Sequence, residues 1–392
     1  MGAVLEKIIG QIDKKEIRLV AGAGGMKKPV EWVHMVDNEA IADFLVGGEV
    51  AFTTGIGIGP EMSLYDLVKR VYERNASGMV INVGPYVARI PEEILDFGNE
   101  HDFPVFEVPW EVHMANLMRI FCEEITRTQQ RVMEVGTAFY NAIFIPKQEE
   151  LYMPALIQNG YLDSQRYRIA VLQFFKKEKN QYLPVSQTRR EICQKKIQYL
   201  SEWTWQDIII CTEQEQLLLV ARDEEKEPQK DPFVLIVSEM RRMLPENECF
   251  FIGAGSVAEG IGSLEKSYQM ARQTMRLGMA RGMENQLQRY EELGMYQIFL
   301  QIQDAEWLQD FYGRTIRPLK EYDALNHSNL EEVLNCYLRC DGSVQETAQK
   351  LFVHRNTINY KLRKIGDILD RDLTSFPVRC ELFMGLLAED LC

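Results

Sequence analysis

Metal-binding and cross-linking residues are scarce: the 392 residues include 5 histidines and 8 cysteines, too scattered to build a zinc module or a disulfide framework. Cys122, Cys193, Cys211, Cys249, Cys336, Cys340, Cys380 and Cys392 form no C-x-x-C pair and no ligand quartet with histidine. They read as reduced thiols, with Cys336 and Cys340, four apart on one helical face, as core residues. Long apolar runs are also missing. None approaches the roughly 18 residues of a membrane span. The first 20 residues carry Glu6, Lys7, Asp13, Lys14, Lys15, Glu16 and Arg18, which excludes the apolar heart of a secretory leader. The chain therefore reads as cytoplasmic. Positive charge is in deficit, with 44 Lys and Arg against 58 Asp and Glu, and the net charge of −14 speaks against nucleic-acid binding by the molecule as a whole. No metal site and no cofactor is expected.

What is present suits a folded protein: 46% hydrophobic and 26% charged residues exclude a mostly disordered chain, and the length fits two or three domains. Strand-length apolar stretches at 17–21, 30–36, 50–53, 79–83 and 105–108 alternate with segments at 62–75 and 91–100 whose apolar spacing is helical. That alternation predicts an α/β domain over 1–112. The glycines of 21–25 have no G-x-x-x-x-G-K-[ST] continuation, so no phosphate loop is read there. Thr53, Thr54 and Gly55 open a run through Gly59 just after a strand. Their hydroxyls and free backbone amides either line a small-molecule effector pocket or form a flexible turn. His34, Asp37, Glu39 and Glu49 lack a metal-ligand spacing and read as polar groups beside a strand.

From 114 to 142, Met114, Met118, Phe121, Ile125, Thr128, Val132, Val135, Phe139 and Ala142 step by four and three, with polar residues between. The pattern predicts a linker helix over 113–146 with a coiled-coil seam, hence a homodimer. A single long helix packed on its own domains would give a similar stripe. Pro146 ends it.

Residues 150–290 read strand 167–174, helix 187–202, strands 207–211 and 216–221, helix 232–243, strand 250–253 and helix 264–280. Two adjacent strands between βα units form a split βαβ frame, a ferredoxin-like α+β domain of the kind nucleotide cyclases use. A cyclase needs metal-binding carboxylates at the end of the first strand and glycines at the hairpin tip. Here the strand ends Gln173-Phe174-Phe175 and the tip is Thr212-Glu213-Gln214-Glu215. The frame lacks what phosphoryl chemistry requires.

The region 291–392 reads as helical, and its chemistry is concentrated at 343–366. Asp341-Gly342 breaks the chain, and Ser343-Val344-Gln345-Glu346 is a capping box that starts a helix to about Leu351. A short turn, Phe352-Val353-His354-Arg355, leads into a second helix to about Ile365. At roughly 100° per residue, Leu362 and Ile365 fall beside Ile358, Asn356, Tyr360 and Arg363 fall opposite, and Thr357, Asn359 and Lys364 flank that outer face. No acid occurs between Thr347 and Gly366, whereas Lys350, Arg355, Lys361, Arg363 and Lys364 are all basic. A basic, polar outward helix after a short turn suits the DNA major groove. Asn356, Thr357, Asn359, Tyr360 and Arg363 are expected at base edges or the nearest phosphates, with Arg355, Lys361 and Lys364 on the backbone. The usual turn glycine is absent, with Phe352 in its place.

The string from Ala348 through Leu362 resembles the hallmark of PucR-type bacterial transcription regulators, and more distantly the helix-turn-helix of Fis-like proteins. Pro318 to Asp323 precede it as in that family. Ile252-Gly253 through Ser267-Tyr268 and Ala271 is similar to the family's degenerate, GGDEF-like middle domain. Val30 to His34, Gly47-Gly48-Glu49 and Phe52 to Gly55 resemble its N-terminal sensory domain. The resemblance implies a multidomain α/β plus all-α chain: a sensory domain, a linker helix, a non-catalytic cyclase-like domain and a helix-turn-helix domain. It further implies a regulator that binds double-stranded promoter DNA, answers a small-molecule effector and controls a catabolic operon for purines, amino acids or sugar acids. The rival reading is a signalling enzyme, a nucleotide cyclase built on the middle domain.

Overall fold

The structure, a computed structural model, describes residues 3–59, 62–179, 181–204, 208–223, 231–302 and 304–391. Asp207, read above as the first residue of a strand, and Cys392 lie outside them. The chain packs as two compact units, Met1–Cys249 with Val257–Tyr268, and Phe250–Ser256 with Gln269–Cys392.

The first unit opens with β1 (Ala3–Val4), α1 (Leu5–Ile9), β2 (Arg18–Ala21), β3 (Pro29–Val30), β4 (Trp32–Met35), α2 (Glu39–Ala42), β5 (Glu49–Thr53), α3 (Leu64–Glu73), β6 (Gly78–Val83), α4 (Glu92–Glu100) and β7 (Val105–Pro109). The stretch expected as one strand at 30–36 is two, β3 and β4, with Glu31 between them giving its N–H to the Gly48 carbonyl. Strands β4, β5, β6 and β7 run parallel in that order, and β2 adds antiparallel to β7. Both faces are covered, which is why these strands read as continuous apolar runs. Ala51, Met79, Ile81 and Val105 join one core with Leu67, Val68 and Val71 of α3 and Ile94 and Phe97 of α4. Their neighbours Val50, Phe52, Val80 and Phe106 point the other way, into a second core with Leu5 and Ile8 of α1.

That second core is completed by α5 (Met114–Phe144), through Leu117, Phe121 and Ile125. Phe121 meets the Phe52 ring edge-on at 5.3 Å. Farther along, Val135, Ala138, Phe139, Ala142 and Ile143 are buried as well, and Phe139 packs edge-on to Tyr161 and Tyr167 at 5.0 and 5.9 Å. The coiled-coil seam is therefore corrected: α5 spends its apolar stripe inside its own unit. The heptad spacing arises because two successive cores need covering on one side of a single helix.

The chain continues through α6 (Met153–Gln158), β8 (Arg166–Glu178), β9 (Gln181–Pro184), α7 (Gln187–Thr204), β10 (Ile208–Glu213), β11 (Gln216–Arg222), α8 (Pro232–Met243), β12 (Glu248–Ala254), β13 (Ala258–Glu259) and α9 (Leu264–Ala280). Strand β11 lies between β10 and β8, antiparallel to both. Strand β8 outruns its expected end at Phe174, because Phe175 to Glu178 pair with β9 in a hairpin.

In the second unit, the Ile252 to Ala254 part of β12 pairs parallel with β14 (Leu287–Arg289). Gly253 is needed there, since a Cβ would stand 2.3 Å from the Met275 nitrogen of α9. Helices α10 (Tyr296–Phe299), α11 (Ala305–Thr315), α12 (Arg317–Asn326), α13 (Leu330–Arg339), α14 (Val344–Lys350), α15 (Arg355–Leu369) and α16 (Phe376–Glu389) follow. Ile316, Leu319, Leu330, Val333, Leu334, Ala348, Ile358, Ile365, Leu373, Leu382 and Leu386 form the core shared by α12 to α16. The N-terminal and middle regions are thus mixed α/β and the C-terminal region helical. Among the described residues, no helix is long and apolar enough to cross a membrane.

Candidate nucleic-acid interface

Helices α14 and α15 make the helix-turn-helix, and α12 and α13 hold it. Asp323 of α12 reaches the start of α13, accepting from the Leu330 and Glu331 amides at 2.9 and 2.8 Å and from the Ser328 hydroxyl at 2.5 Å. Burial opposes its charge, but these donors outweigh it and hold its pKa below the ordinary carboxylate value. Nothing local flags this cap in the sequence, since Asp323 stands seven residues before the helix it serves.

Ser343 caps α14 by accepting from the Glu346 amide at 3.3 Å. The expected capping box is only half made, because the Ser343 amide already donates to the Cys340 carbonyl at 2.8 Å. At the start of α15, His354 Nδ1 accepts from the Asn356 amide at 3.2 Å, so the proton sits on Nε2. Histidine is outside the Ser, Thr, Asp and Asn set that signals an N-cap, and sequence reasoning missed it. Helix α15 runs four residues past the expected Ile365, with Ile368 and Leu369 against the core and Asp370 in the left-handed region at φ 52°. There the Arg371 amide returns to the Gly366 carbonyl at 3.0 Å.

The wheel positions are as read. Ile358 and Ile365 are fully buried, while Asn356, Tyr360 and Arg363 are exposed, as are Arg355 and Thr357. Among the described residues, the side chains of Asn356, Tyr360 and Arg363 make no hydrogen bond or ion pair. Asn359 is half-buried on the flank. Lys361 and Lys364 are half-buried and engaged: Lys361 Nζ donates to Asn329 Oδ1, and Lys364 Nζ lies 4.9 Å from the Tyr322 ring centre. A hydrogen bond to Tyr322 raises the Lys364 pKa. The outer face is thus brought together, and two of the three cations expected on the backbone are also tied to α12 and the residue before α13.

The other candidate residues lie in the first unit, at the C-terminal end of β5. Asp37 Oδ1 accepts from the Thr53 hydroxyl at 2.9 Å, the Thr54 amide at 2.9 Å and the Thr54 hydroxyl at 3.1 Å. Gly55 follows at φ 76°, where a Cβ would stand 2.4 Å from Val87. Both hydroxyls are therefore committed to one carboxylate. A cavity of about 560 Å³ opens at the opposite ends of these strands, lined by Lys28, Glu31, Glu73, Ser77 and His101 among others, without Thr53, Thr54 or Gly55. Of the four groups weighed as a metal cluster, the three carboxylates are engaged separately: Glu49 takes the Val46 and Gly47 amides, Glu39 lies 3.7 Å from Arg70, and Asp37 holds the threonines. Among the described residues no group of three such side chains could hold a metal.

At the β10–β11 hairpin, Gln173 Nε2 donates to Glu215 at 3.4 Å, Gln216 Nε2 donates to Gln173 at 3.1 Å, and the Tyr140 hydroxyl donates to Glu213 at 2.6 Å. Phe174 and Phe175 are buried. An amide pair and two phenyl rings stand where cyclase chemistry needs acids.

Three family models match in order along the chain: the purine catabolism regulatory protein-like family at 9–125, a GGDEF-like domain at 158–277 and the PucR C-terminal helix-turn-helix domain at 330–388. The three matched domains are those of PucR-type regulators, in matching order along the chain. The chain is 28% identical over 138 residues to the proline-responsive transcriptional activator PutR of Bacillus subtilis, covering 35% of this chain and 34% of that protein. It is 30% identical over 141 residues to the carbohydrate diacid regulator of Escherichia coli, covering 36% of each. It is 24% identical over 201 residues to the DNA-binding transcriptional activator AdeR of Bacillus subtilis, covering 50% of this chain and 48% of that one. The matched segments thus span between a third and a half of these relatives.

Proposed function

We propose that the chain is a cytoplasmic, sequence-specific regulator of transcription that binds double-stranded promoter DNA through α15 and controls a catabolic operon in response to a small-molecule effector. The observation that carries this is the outward face of α15: Asn356, Tyr360 and Arg363 are exposed, and among the described residues their side chains make no hydrogen bond or ion pair. Asparagine and arginine on such a face pair with adenine and guanine edges. In this reading Thr357 and Asn359 support the base readers, and Arg355, Lys361 and Lys364 neutralise phosphates. The relatives are described as regulators of proline and carbohydrate diacid responses, and that class of target is carried over here.

The remaining parts are assigned accordingly: 1–112 senses the effector, 113–146 links, 150–290 is a non-catalytic ferredoxin-like, cyclase-derived domain, and 291–392 binds DNA. The effector site is assigned to the loop of Thr53, Thr54 and Gly55, because α/β sheets bind ligands beyond the C-terminal ends of their strands. A homodimer would set two α15 helices in successive major grooves, giving a two-fold site with half-site centres about 10 base pairs apart or a multiple. Its contacts come from outside the buried α5 seam. Selection of genomic fragments by the full chain tests the whole reading. Enrichment of a few sites upstream of catabolic genes is expected; equal retention of all fragments, or of none, would contradict it.

A further inference from the structure

The turn between α14 and α15 is a Schellman arrangement: the Val353 amide returns to the Ala348 carbonyl at 3.0 Å and the Phe352 amide to the Gln349 carbonyl at 3.3 Å. The residue at the bend takes the left-handed conformation, normally left to glycine because a Cβ is strained there. Here it is Phe352, at φ 54°. A buried ring could offset that strain by packing, but Phe352 is 94% exposed and Val353 beside it 40% exposed. The fold thus carries a bulky apolar side chain in an unfavourable conformation and returns none of its area to its own core.

Its surroundings indicate what covers it. Lys350 precedes the ring and Arg355 follows it, with no acid anywhere from Thr347 to Gly366, so the knuckle sits in a positive field inside an otherwise acidic chain. In helix-turn-helix proteins the N-terminal residues of the second helix approach the bases while the first helix crosses the backbone, so the intervening turn lies at the groove's lip. We propose that Phe352 is a DNA-contacting residue, whose ring, with Val353 beside it, packs on the apolar carbons of duplex DNA, a thymine methyl or the deoxyribose edge. This rests on the reading of α15 as the recognition helix. It adds an apolar contact to an interface otherwise built from hydrogen bonds and charge.

The decisive variant is Phe352→Gly in the full chain, because glycine suits the conformation and removes only the ring. The thermal midpoint should hold or rise, while affinity for a fragment selected by the wild type falls roughly tenfold, the size expected for losing a buried aromatic contact. Phe352→Asn, which also tolerates the left-handed region, should behave alike, and Phe352→Leu should recover part of the binding. Replacing thymines of the fragment by deoxyuridine separates the two contacts: a loss seen with wild type and absent with Phe352→Gly assigns the methyl, and no loss assigns the sugar. Wild-type affinity in folded Phe352→Gly overturns the proposal alone. Unfolding of both the glycine and asparagine variants would place the ring's role in the fold and overturn it too. No selectable fragment for the wild type would overturn the recognition-helix reading together with it.

Discussion

Helices α5 and α15 carry similar patterns and lead to opposite conclusions. Each alternates an apolar stripe with polar residues, yet α5 buries Phe121, Ile125, Val135, Phe139 and Ala142 along most of its length against two cores of its own unit. Helix α15 fully buries only Ile358 and Ile365 and presents Asn356, Tyr360 and Arg363 outward without partners among the described residues. An apolar stripe states only that something must cover it, and a chain of this length can supply the cover itself. A polar face is more telling, because solvation asks only for hydrophilic groups and does not select asparagine, tyrosine and arginine while excluding acids from 347 to 366.

The largest expected effect tests the first half of that contrast. Phe121→Ala removes a ring fully buried between β5 and α5, and should cost about 3 to 5 kcal/mol in chemical denaturation. The particle mass should not change before unfolding begins. A smaller particle with unchanged stability would restore the intermolecular seam.

On α15, Asn356→Ala should weaken the specific site by about 1 to 3 kcal/mol and relax preference at one base position. Equal weakening on every sequence, seen in a competition titration, would move Asn356 from base reader to backbone contact. The scaffold beneath has its own signature. Asp323→Ala removes a side chain that accepts from the Leu330 and Glu331 amides, and should lower stability by roughly 1 kcal/mol. Because the folded pKa of Asp323 is depressed, its contribution is complete above the ordinary carboxylate range and is lost as pH falls through the folded value. The gap in thermal midpoint between wild type and variant should therefore narrow in acid; a constant gap would assign the effect to packing.

The smallest effect separates the cations. Arg355→Ala should weaken all sequences alike and lower the salt slope by about one. Lys361→Ala should change the slope less, because Asn329 already holds its ammonium. Equal slopes for both would show that the intramolecular contact gives way to phosphate.

Much of the architecture was legible because periodicity reports burial. The parallel strands, with both faces covered, appear as apolar runs, and the α15 wheel follows from Ile358, Leu362 and Ile365. What escaped depends on partners distant in sequence or on unusual chemistry in common roles. Asp323 caps a helix across a loop, His354 caps where serine or aspartate is expected, and Glu346 fails to close its box because the Ser343 amide bonds Cys340. The Thr53 and Thr54 hydroxyls looked available, yet Asp37, sixteen and seventeen residues earlier, takes both. The missing turn glycine was visible; that Phe352 nevertheless adopts the glycine conformation, fully facing solvent, was not.

The central claim, that the outward face of α15 reads base sequence, is tested most directly by fluorescence anisotropy. The full chain and its Asn356→Ala, Tyr360→Ala, Arg363→Ala triple variant would be titrated against a selected fragment and a scrambled fragment of equal length. Because all three side chains are exposed, the variant should keep the wild-type thermal midpoint. It should bind both fragments alike, at the wild type's affinity for the scrambled one. Retained preference for the selected fragment would contradict it.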